Sequence, residues 1–305
     1  MTESAIKNSP LVSVIINCFN GEKYLHEAID SVISQSYTNW EIIFWDNQSS
    51  DTSSEIINSY NDNRINYYYA SDHTVLYEAR NHALSKAKGD YITFLDCDDW
   101  WVKDKLKIQI NYLVSNQYYF CFTDTKMYFQ RLQYTKDYVS KIKKVNFNTE
   151  DLLGSYPIIM SSIMFDFKHA KKNFLKFDKN FKIIGDFDFI LKFSKLSDIY
   201  RISKFLTYYR YHENNESITN IEKTVEEYKI WVKRNYNCFK KYKNFHCLSD
   251  KIIELHARSF SMKNNVIELY NLRKYISIKN ILIIFAKEKV PLRLKKLFCQ
   301  LKTII

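Results

Sequence analysis

The stretch VSVIINCFNGEKYLHEAIDSVISQ, residues 12–35, contains the pattern that decides the fold. Its first seven residues form a mostly apolar, β-branched run, which is typical of a strand buried on both faces. From residue 21 onwards the apolar positions recur at helical spacing. The stretch therefore predicts a buried strand that leads directly into an amphipathic helix.

The same alternation continues along the chain. Residues 40–47, 64–70 and 91–96 each have the composition of a further strand, and helical patterns lie between them. The helix at 76–89 is predicted to end at Gly89 in the left-handed conformation that glycine adopts easily. Strands that alternate with helices predict an α/β fold, with a mostly parallel sheet and helices on both faces.

Polar residues follow three of these strands, at Cys18–Asn20, Asp46–Asn47 and Asp96–Asp99. Ligands of parallel α/β folds bind beyond the carboxyl ends of the strands, so we expect one polar rim. The sequence contains neither GxGxxG nor GxxxxGK[ST], the two common glycine-rich phosphate loops. A divalent cation held by the Asp96–Asp99 carboxylates, Mg²⁺ or Mn²⁺, would supply the missing counter-charge for a diphosphate.

The acidic segment FLDCDDWW, residues 94–101, has two other interpretations. An isolated D-x-D is often a solvated turn or a helix cap. Phosphatases that form an aspartyl phosphate also use Asp-x-Asp, but on the first strand and followed by Thr or Val. Here the pair follows the fourth strand, in line with two other polar strand ends, which favours a metal site.

Charge and cysteine content limit the partners and the compartment. Lys and Arg exceed Asp and Glu by 45 to 34, giving a net charge of +11, and residues 271–305 hold nine basic residues against one acid. Such a tail indicates an anionic surface, either lipid or nucleic acid. The six cysteines form no CxxC pair, which predicts free thiols in a reducing compartment. We find no signal-peptide pattern and no apolar segment long enough to span a membrane.

Several stretches together resemble a known family. They are residues 12–53, EARNHALSKAKGDYITFLDCDDWW at 78–101 and KLKIQI at 105–110. In order and spacing they resemble the nucleotide-sugar-binding half of a family 2 glycosyltransferase with the GT-A fold. The resemblance implies an inverting enzyme that transfers a sugar from a nucleotide diphosphate donor to an acceptor hydroxyl, in surface polysaccharide or glycoconjugate assembly.

The resemblance also implies roles for individual residues. The nucleotide sugar would contact Asn17, Phe19, Asn20, Asp46, Asn47, Arg80, Asn81 and Asp96. The cation would bind Asp96, Asp98, Asp99 and His212, the last from the Tyr-Arg-x-His segment in YYRYHENNESIT, residues 208–219. Asn47 stands where the family often has a second carboxylate, which leaves the identity of the base open. Arg80 could instead be a surface helix residue, and His212 could be structural.

The segment IIGDFDFILKFSK, residues 183–195, resembles the part of the family that presents the catalytic base. Asp186 aligns with the base, and a carboxylate on a polar rim is ionised as this role requires. Gly185 replaces the acid that usually precedes it. Two alternatives stay open: Asp186 could cap the helix that follows, and the chain could be a catalytically silent relative that binds sugar nucleotides.

Three regions are expected along the chain. Residues 1–10 form a disordered N-terminus, 11–220 a GT-A catalytic domain, and 221–305 a helical region that ends in a basic amphipathic tail. The expected partners are a nucleotide diphosphate sugar, a glycan or lipid-linked acceptor and an anionic membrane surface on the cytoplasmic side. The tail could instead pack on the protein itself. A nucleic-acid-binding module is less favoured, because the candidate site is acidic.

Overall fold

The computed structural model describes residues 9–138, 143–213, 215 and 219–260. The expectations for residues 1–8 and for the basic tail at 271–305 fall outside the described residues. Those residues divide into two compact units. The first unit contains 9–138, 143–152 and 156–213, and the second contains 153–155, 215 and 219–260.

The strands and helices follow in chain order. The strands are β1 (Val12–Cys18), β2 (Trp40–Asp46), β3 (Ile65–Tyr69), β4 (Tyr91–Phe94), β5 (Trp100–Trp101), β6 (Phe120–Phe129), β7 (Tyr134–Asp137), β8 (Asn146–Phe147), β9 (Ile163–Asp166) and β10 (Ile199–Tyr211). The helices are α1 (Glu22–Ile33), α2 (Ser53–Ser59), α3 (Leu76–Lys86), α4 (Lys105–Asn116), α5 (Thr149–Gly154), α6 (Phe167–Lys172), α7 (Gly185–Ser194), α8 (Ile221–Phe239) and α9 (His246–Phe260).

One sheet organises the first unit, with the strand order β3-β2-β1-β4-β9-β6-β10-β5 over the described residues. The first four strands of this order are parallel to one another. β9 runs antiparallel to both β4 and β6, and β10 is parallel to β6 through the longest ladder of the sheet. A buried ion pair joins these last two strands, because Arg201 Nε donates to Asp124 Oδ1 over 2.5 Å.

Helices cover both faces of the parallel part of the sheet. Val12, Val14, Ile16 and Cys18 of β1 point to one face, where they share a core cluster with residues of α1 and α4. Ile15 points the other way and is also buried, on the face against which α3 packs. The continuous apolar run of β1 reflects this double burial. The predicted α/β class, with a mostly parallel sheet, is confirmed.

The prediction for Gly89 is wrong. Helix α3 ends at Lys86 with Ala87 as its C-cap, and no described glycine has a positive φ. The reason for glycine here is close packing on β1. A Cβ at Gly89 would lie 2.6 Å from the backbone nitrogen of Ser13, and Gly89 N donates to Ser13 Oγ over 2.8 Å.

The described part of the second unit is helical, as the sequence predicts for its region. Helices α8 and α9 pack on each other and bury apolar side chains that include Tyr228, Trp231, Phe239 and Leu248. Among the described residues, no helix combines the length and the apolar character that crossing a membrane requires.

Lys105, the first residue of α4, is a fully buried lysine beneath the sheet. Its Nζ donates to Gln109 Oε1 over 2.6 Å and to Thr93 Oγ1 over 3.3 Å, and it lies 3.9 Å from the centre of the Trp101 ring. Burial lowers the pKa of Lys105 to about 7, and nearby Cys121 opposes this shift. At neutral pH the amine is therefore poised to lose its proton.

This burial predicts a dependence of stability on pH. An unfolded lysine titrates near pH 10.4, so between pH ~7 and ~10.4 the unfolded wild type binds more protons than the folded protein. The free energy of unfolding of the wild type relative to Lys105→Met should rise with pH, by up to about 1.4 kcal/mol per pH unit. Urea unfolding at several pH values measures it, with exposed Lys103→Met as the control. A difference independent of pH would mean that Lys105 stays protonated.

Candidate active site

The carboxyl ends of β1, β2 and β4 form the rim that the sequence predicts. At the end of β2, Asp46 is fully buried. Its Oδ1 accepts from Ser49 N over 2.7 Å, and its Oδ2 accepts from the Tyr67 hydroxyl over 3.0 Å. Asp46 thereby fixes the turn that follows β2.

The rim residues after β1 differ in their contacts. Asn20 has a φ of 53°, a left-handed conformation that asparagine tolerates, and its Oδ1 accepts from Ser50 N over 2.8 Å. Phe19 is about half exposed, and its ring centre lies 4.4 Å from that of His73. Asn17 has both side-chain polar atoms buried, with no hydrogen-bond partner among the described residues. Such an unpaired amide close to the rim is consistent with a group that a ligand or water satisfies.

Two asparagines of the predicted donor pocket are committed to backbone groups instead. Asn47 Nδ2 donates to Thr74 O over 2.7 Å, and Asn47 Oδ1 accepts from Thr74 N over 3.2 Å. Asn81 forms the same two-bond clamp with Phe177, over 2.9 and 3.0 Å. Each side chain thus fastens a loop at the rim, and its contact with a nucleotide stays a prediction.

Arg80 lies inside the site and not on a surface. Only 3% of it is exposed, and its Nη2 donates to Asp96 Oδ1 over 2.6 Å. The guanidinium carbon lies 5.4 to 5.8 Å from the ring centres of Tyr77, Phe94 and Phe177. These rings exclude water around the cation and direct its charge towards the first aspartate of the D-x-D segment.

The end of β10 brings a histidine and an arginine to the same segment. His212 Nε2 lies 3.0 Å from Asp98 Oδ2, and both side chains are partly exposed. Arg210 Nε donates to the backbone oxygen of Asp98 over 2.8 Å, and Arg210 N donates to Asp99 Oδ1 over 3.0 Å. The buried Arg210 also pairs with Glu27, so it ties the acidic segment to both β10 and α1.

Asp99 is more deeply buried than the other predicted metal ligands. It is 1% exposed, and besides Arg210 N it accepts from the Ser161 hydroxyl over 2.5 Å. Burial raises the pKa of Asp99 well above its usual range, and the charges of Asp98 and Asp96 raise it further. Both oxygens have partners inside the protein, and a role of Asp99 as a metal ligand stays a prediction.

Asp186 lies in the first turn of α7, but it is not the helix cap. The N-cap is Ile184, and Asp186 Oδ1 accepts from Phe187 N over 2.7 Å. The Tyr77 hydroxyl lies 3.4 Å from the same oxygen and donates to Ile183 O over 2.6 Å. The side chain of Asp186 is partly exposed, as a residue that must reach a substrate requires.

Gly185 has a steric explanation. A Cβ at this position would lie 2.4 Å from the ring of Tyr77, which is buried against the start of α7. An acid of the kind the family usually has here would therefore collide with Tyr77. The glycine at position 185 is therefore explained by the packing of the Tyr77 ring against it.

The two halves of the candidate site meet around Arg80. Burial opposes the charge of Arg80, but its electrostatic interactions with nearby groups, which are Asp96, Tyr77 and Asp186, raise its pKa. Burial and the charge of Asp98 raise the pKa of Asp96, and Asp98 also contacts His212. A continuous line of polar groups thus runs from the start of α7, across α3, to the end of β10.

A divalent cation fits the open part of this line. Carboxylate oxygens suit Mg²⁺ and Mn²⁺, and a neutral imidazole can add a nitrogen ligand. Asp98 and His212 contact each other, and the side chains of both are partly exposed. Asp96 is two residues from Asp98 in the sequence. These three residues could hold the cation.

Sequence reasoning missed three supporting residues: Tyr77, Ser161 and Arg210. Arg210 stands inside the Tyr-Arg-x-His segment, so that pattern could have indicated it. Tyr77 and Ser161 carried no local signal, because their partners Gly185 and Asp99 lie far away in the sequence.

Comparison with known proteins agrees with this architecture. The crystal structure of S. aureus TarS 1–349 in complex with UDP-GlcNAc superposes with a TM-score of 0.67 and 19% identity, covering 87% of this chain and 79% of the TarS 1–349 chain. At this identity the likeness shows the fold, which is that of a GT-A glycosyltransferase.

The sequence comparisons identify the family. The profile of glycosyl transferase family 2 matches residues 13–174. A glycosyltransferase of Rickettsia typhi, RT0329, is 30% identical over 233 residues, which cover 73% of this chain and 71% of the relative. The chain therefore belongs to glycosyl transferase family 2.

A further relative matches a shorter part of this chain. The putative teichuronic acid biosynthesis glycosyltransferase TuaG of Bacillus subtilis is 40% identical over 116 residues, which cover 37% of this chain. That match spans only 46% of TuaG, less than half of its length.

The packing of Tyr77 on Gly185 predicts the effect of one methyl group. Gly185→Ala should lower the free energy of unfolding by roughly 1–3 kcal/mol, because the ring and helix must separate. Urea unfolding measures the loss. The same substitution in a Tyr77→Leu background should cost less, because leucine lacks the ring that blocks the methyl group. Equal losses in both backgrounds would show that Tyr77 does not require glycine at this position.

Proposed function

We propose that this chain is a metal-dependent, inverting glycosyltransferase that moves a sugar, such as a hexose, from a nucleotide diphosphate to an acceptor hydroxyl. The observation that carries this proposal is the grouping of three polar pairs at one rim: Asp186 with Tyr77, Arg80 with Asp96, and Asp98 with His212. It supports one site in which a base and a diphosphate-binding group act on the same substrate.

The proposed mechanism divides the chemistry between these pairs. A bound Mg²⁺ or Mn²⁺ supplies positive charge that stabilises the departing nucleotide diphosphate. Asp98 and His212, together with Asp96, would hold that cation beside the diphosphate of the donor. Asp186 takes the proton of the acceptor hydroxyl while that oxygen attacks the anomeric carbon and the bond to the nucleotide breaks. Attack on the face opposite the leaving group inverts the configuration.

Arg80 has a positioning role in this scheme. Its guanidinium is buried and bonded to Asp96, so it orients that carboxylate before the donor arrives. Charged groups that are held in place beforehand stabilise a transition state without reorganising during the reaction. Arg210 does the same for the backbone of the acidic segment.

The alternative of a catalytically silent relative rests on Gly185. The contact with Tyr77 gives this glycine a structural cause, which weakens the argument for lost activity. A nucleic-acid-binding role is less supported, since the groups at the rim are acidic and most of the basic excess lies in residues 271–305.

Surface polysaccharide or glycoconjugate assembly is the proposed context. The name of TuaG places that relative in teichuronic acid biosynthesis, and TarS was crystallised with UDP-GlcNAc. A UDP-sugar is therefore the first donor to test, with a glycan or a lipid-linked glycan as acceptor. An anionic membrane stays the proposed partner of residues 271–305, on sequence grounds alone.

The role of Asp98 predicts a loss of metal-dependent binding. Asp98→Asn should weaken the binding of UDP in the presence of Mn²⁺ by at least tenfold, because an amide is a poorer cation ligand than a carboxylate. Isothermal titration calorimetry, with and without EDTA, measures the affinity of wild type and of Asp98→Asn for UDP. Asp104→Asn, an exposed aspartate at the start of α4, removes the same charge and should bind like wild type. Wild-type affinity that is unchanged by EDTA would contradict a role for the metal.

The role of Asp186 predicts a different pattern. Asp186→Asn should bind UDP and Mn²⁺ within a few-fold of wild type but lose transfer by about 100-fold or more, because only proton abstraction is removed. Transfer is measured with a UDP-sugar mixture and detection of released UDP, again with Asp104→Asn as control. Transfer by Asp186→Asn close to the wild-type rate would assign the base to another residue.

A further inference from the structure

Two cysteines lie opposite each other at the rim although 79 positions separate them in the sequence. Strands β1 and β4 are parallel, and their register pairs Val12 with Tyr91 and Ile15 with Phe94. The two segments stay adjacent for one more residue, because Leu95 N donates to Ile15 O over 3.0 Å. Cys18 is the last residue of β1, and Cys97 lies in the turn that follows β4.

The side chains of these cysteines converge as well. A Cβ at Gly21 would lie 2.8 Å from the sulfur of Cys18 and 2.9 Å from the sulfur of Cys97. Both thiols are free, and each would meet the same added Cβ, which places the two sulfurs close together. Because both sulfurs lie within 3 Å of one point, a rotation of the two side chains could bring them to bonding distance.

The two thiols differ in access. Cys18 is 1% exposed, whereas Cys97 is partly exposed. Cys97 is also the central residue of the D-x-D segment, between Asp96 and Asp98. An oxidant can therefore reach the Cys97 thiol first, while the Cys18 thiol lies buried close to it.

We propose that Cys18 and Cys97 form a reversible disulfide that acts as an oxidative modification site of the acidic segment. With hydrogen peroxide as oxidant, the sulfur of Cys97 attacks one peroxide oxygen, the O–O bond breaks, and a sulfenic acid and one water form. The sulfur of Cys18 then attacks the sulfenic sulfur, the S–O bond breaks, and a second water leaves. The two thiols lose two electrons and two protons in total.

The disulfide would change the acidic segment mechanically. A disulfide bond is about 2 Å long, shorter than the contact between two thiols, so Cys97 must move towards β1. Asp96 and Asp98 flank Cys97 and must move with it. We expect weaker metal-dependent binding of nucleotide diphosphate; this consequence rests on the proposed function, whereas the crosslink itself does not.

The experiment treats the full chain with hydrogen peroxide under native conditions. Peptide mapping by mass spectrometry, without reduction, should find the Cys18 and Cys97 peptides joined, with a loss of two hydrogen masses. Dithiothreitol should separate them again. Oxidation of other thiols, such as exposed Cys238, without this crosslink would overturn the proposal.

The affinity for UDP in the presence of Mn²⁺ is then measured before and after oxidation. The oxidised form of each variant is compared with the reduced form of the same variant. The wild type should lose at least fivefold in affinity and recover it with dithiothreitol. Cys97→Ser should keep its own affinity after the same treatment, and Cys238→Ser should respond like wild type. A crosslink that leaves binding unchanged would overturn the effect on the acidic segment. If neither reduced nor oxidised protein binds UDP while the crosslink forms, the proposed function fails and the modification site stands.

Discussion

Two buried arginines fix the acidic segment at 96–99. The Arg80 guanidinium pairs with the side chain of Asp96, the Arg210 guanidinium donates to the backbone oxygen of Asp98, and the Arg210 backbone N–H donates to Asp99 Oδ1. Without such partners, three carboxylates within four residues would repel one another. Arg80 is 3% exposed, so loss of Asp96 would leave a buried charge unpaired, and the geometry of the site and the stability of the fold are coupled.

The parallel topology explains why these groups can meet. β1, β2 and β4 end at the same edge of the sheet, and α3 and β10 bring their arginines to that edge. Asp186 arrives on α7 and touches Tyr77 of α3. The sheet register and helix packing therefore position Arg80, Arg210 and Asp186, and the loops after β4 and β10 present Asp96, Asp98 and His212.

Local sequence pattern predicted the elements well and the contacts less well. The first four strands and the helices between them follow from apolar periodicity, which reports burial directly. The role of an amide or carboxylate depends instead on partners that are distant in sequence. Asn81 clamps Phe177, Asp99 accepts from Ser161, and Gly89 packs on Ser13, and no local pattern reveals these pairs. Packing around Gly21 likewise brings the sulfurs of Cys18 and Cys97 together, which spacing rules for cysteines do not detect.

The central claim is inverting displacement at one site, and the configuration of the product tests it most directly. With an α-linked UDP-sugar, Mn²⁺ and water as the slow acceptor, proton NMR resolves the anomeric signal of the released sugar before it equilibrates. Displacement with Asp186 as base predicts that the β-anomer appears first. Initial release of the α-anomer would contradict the account, because it would require retention of configuration.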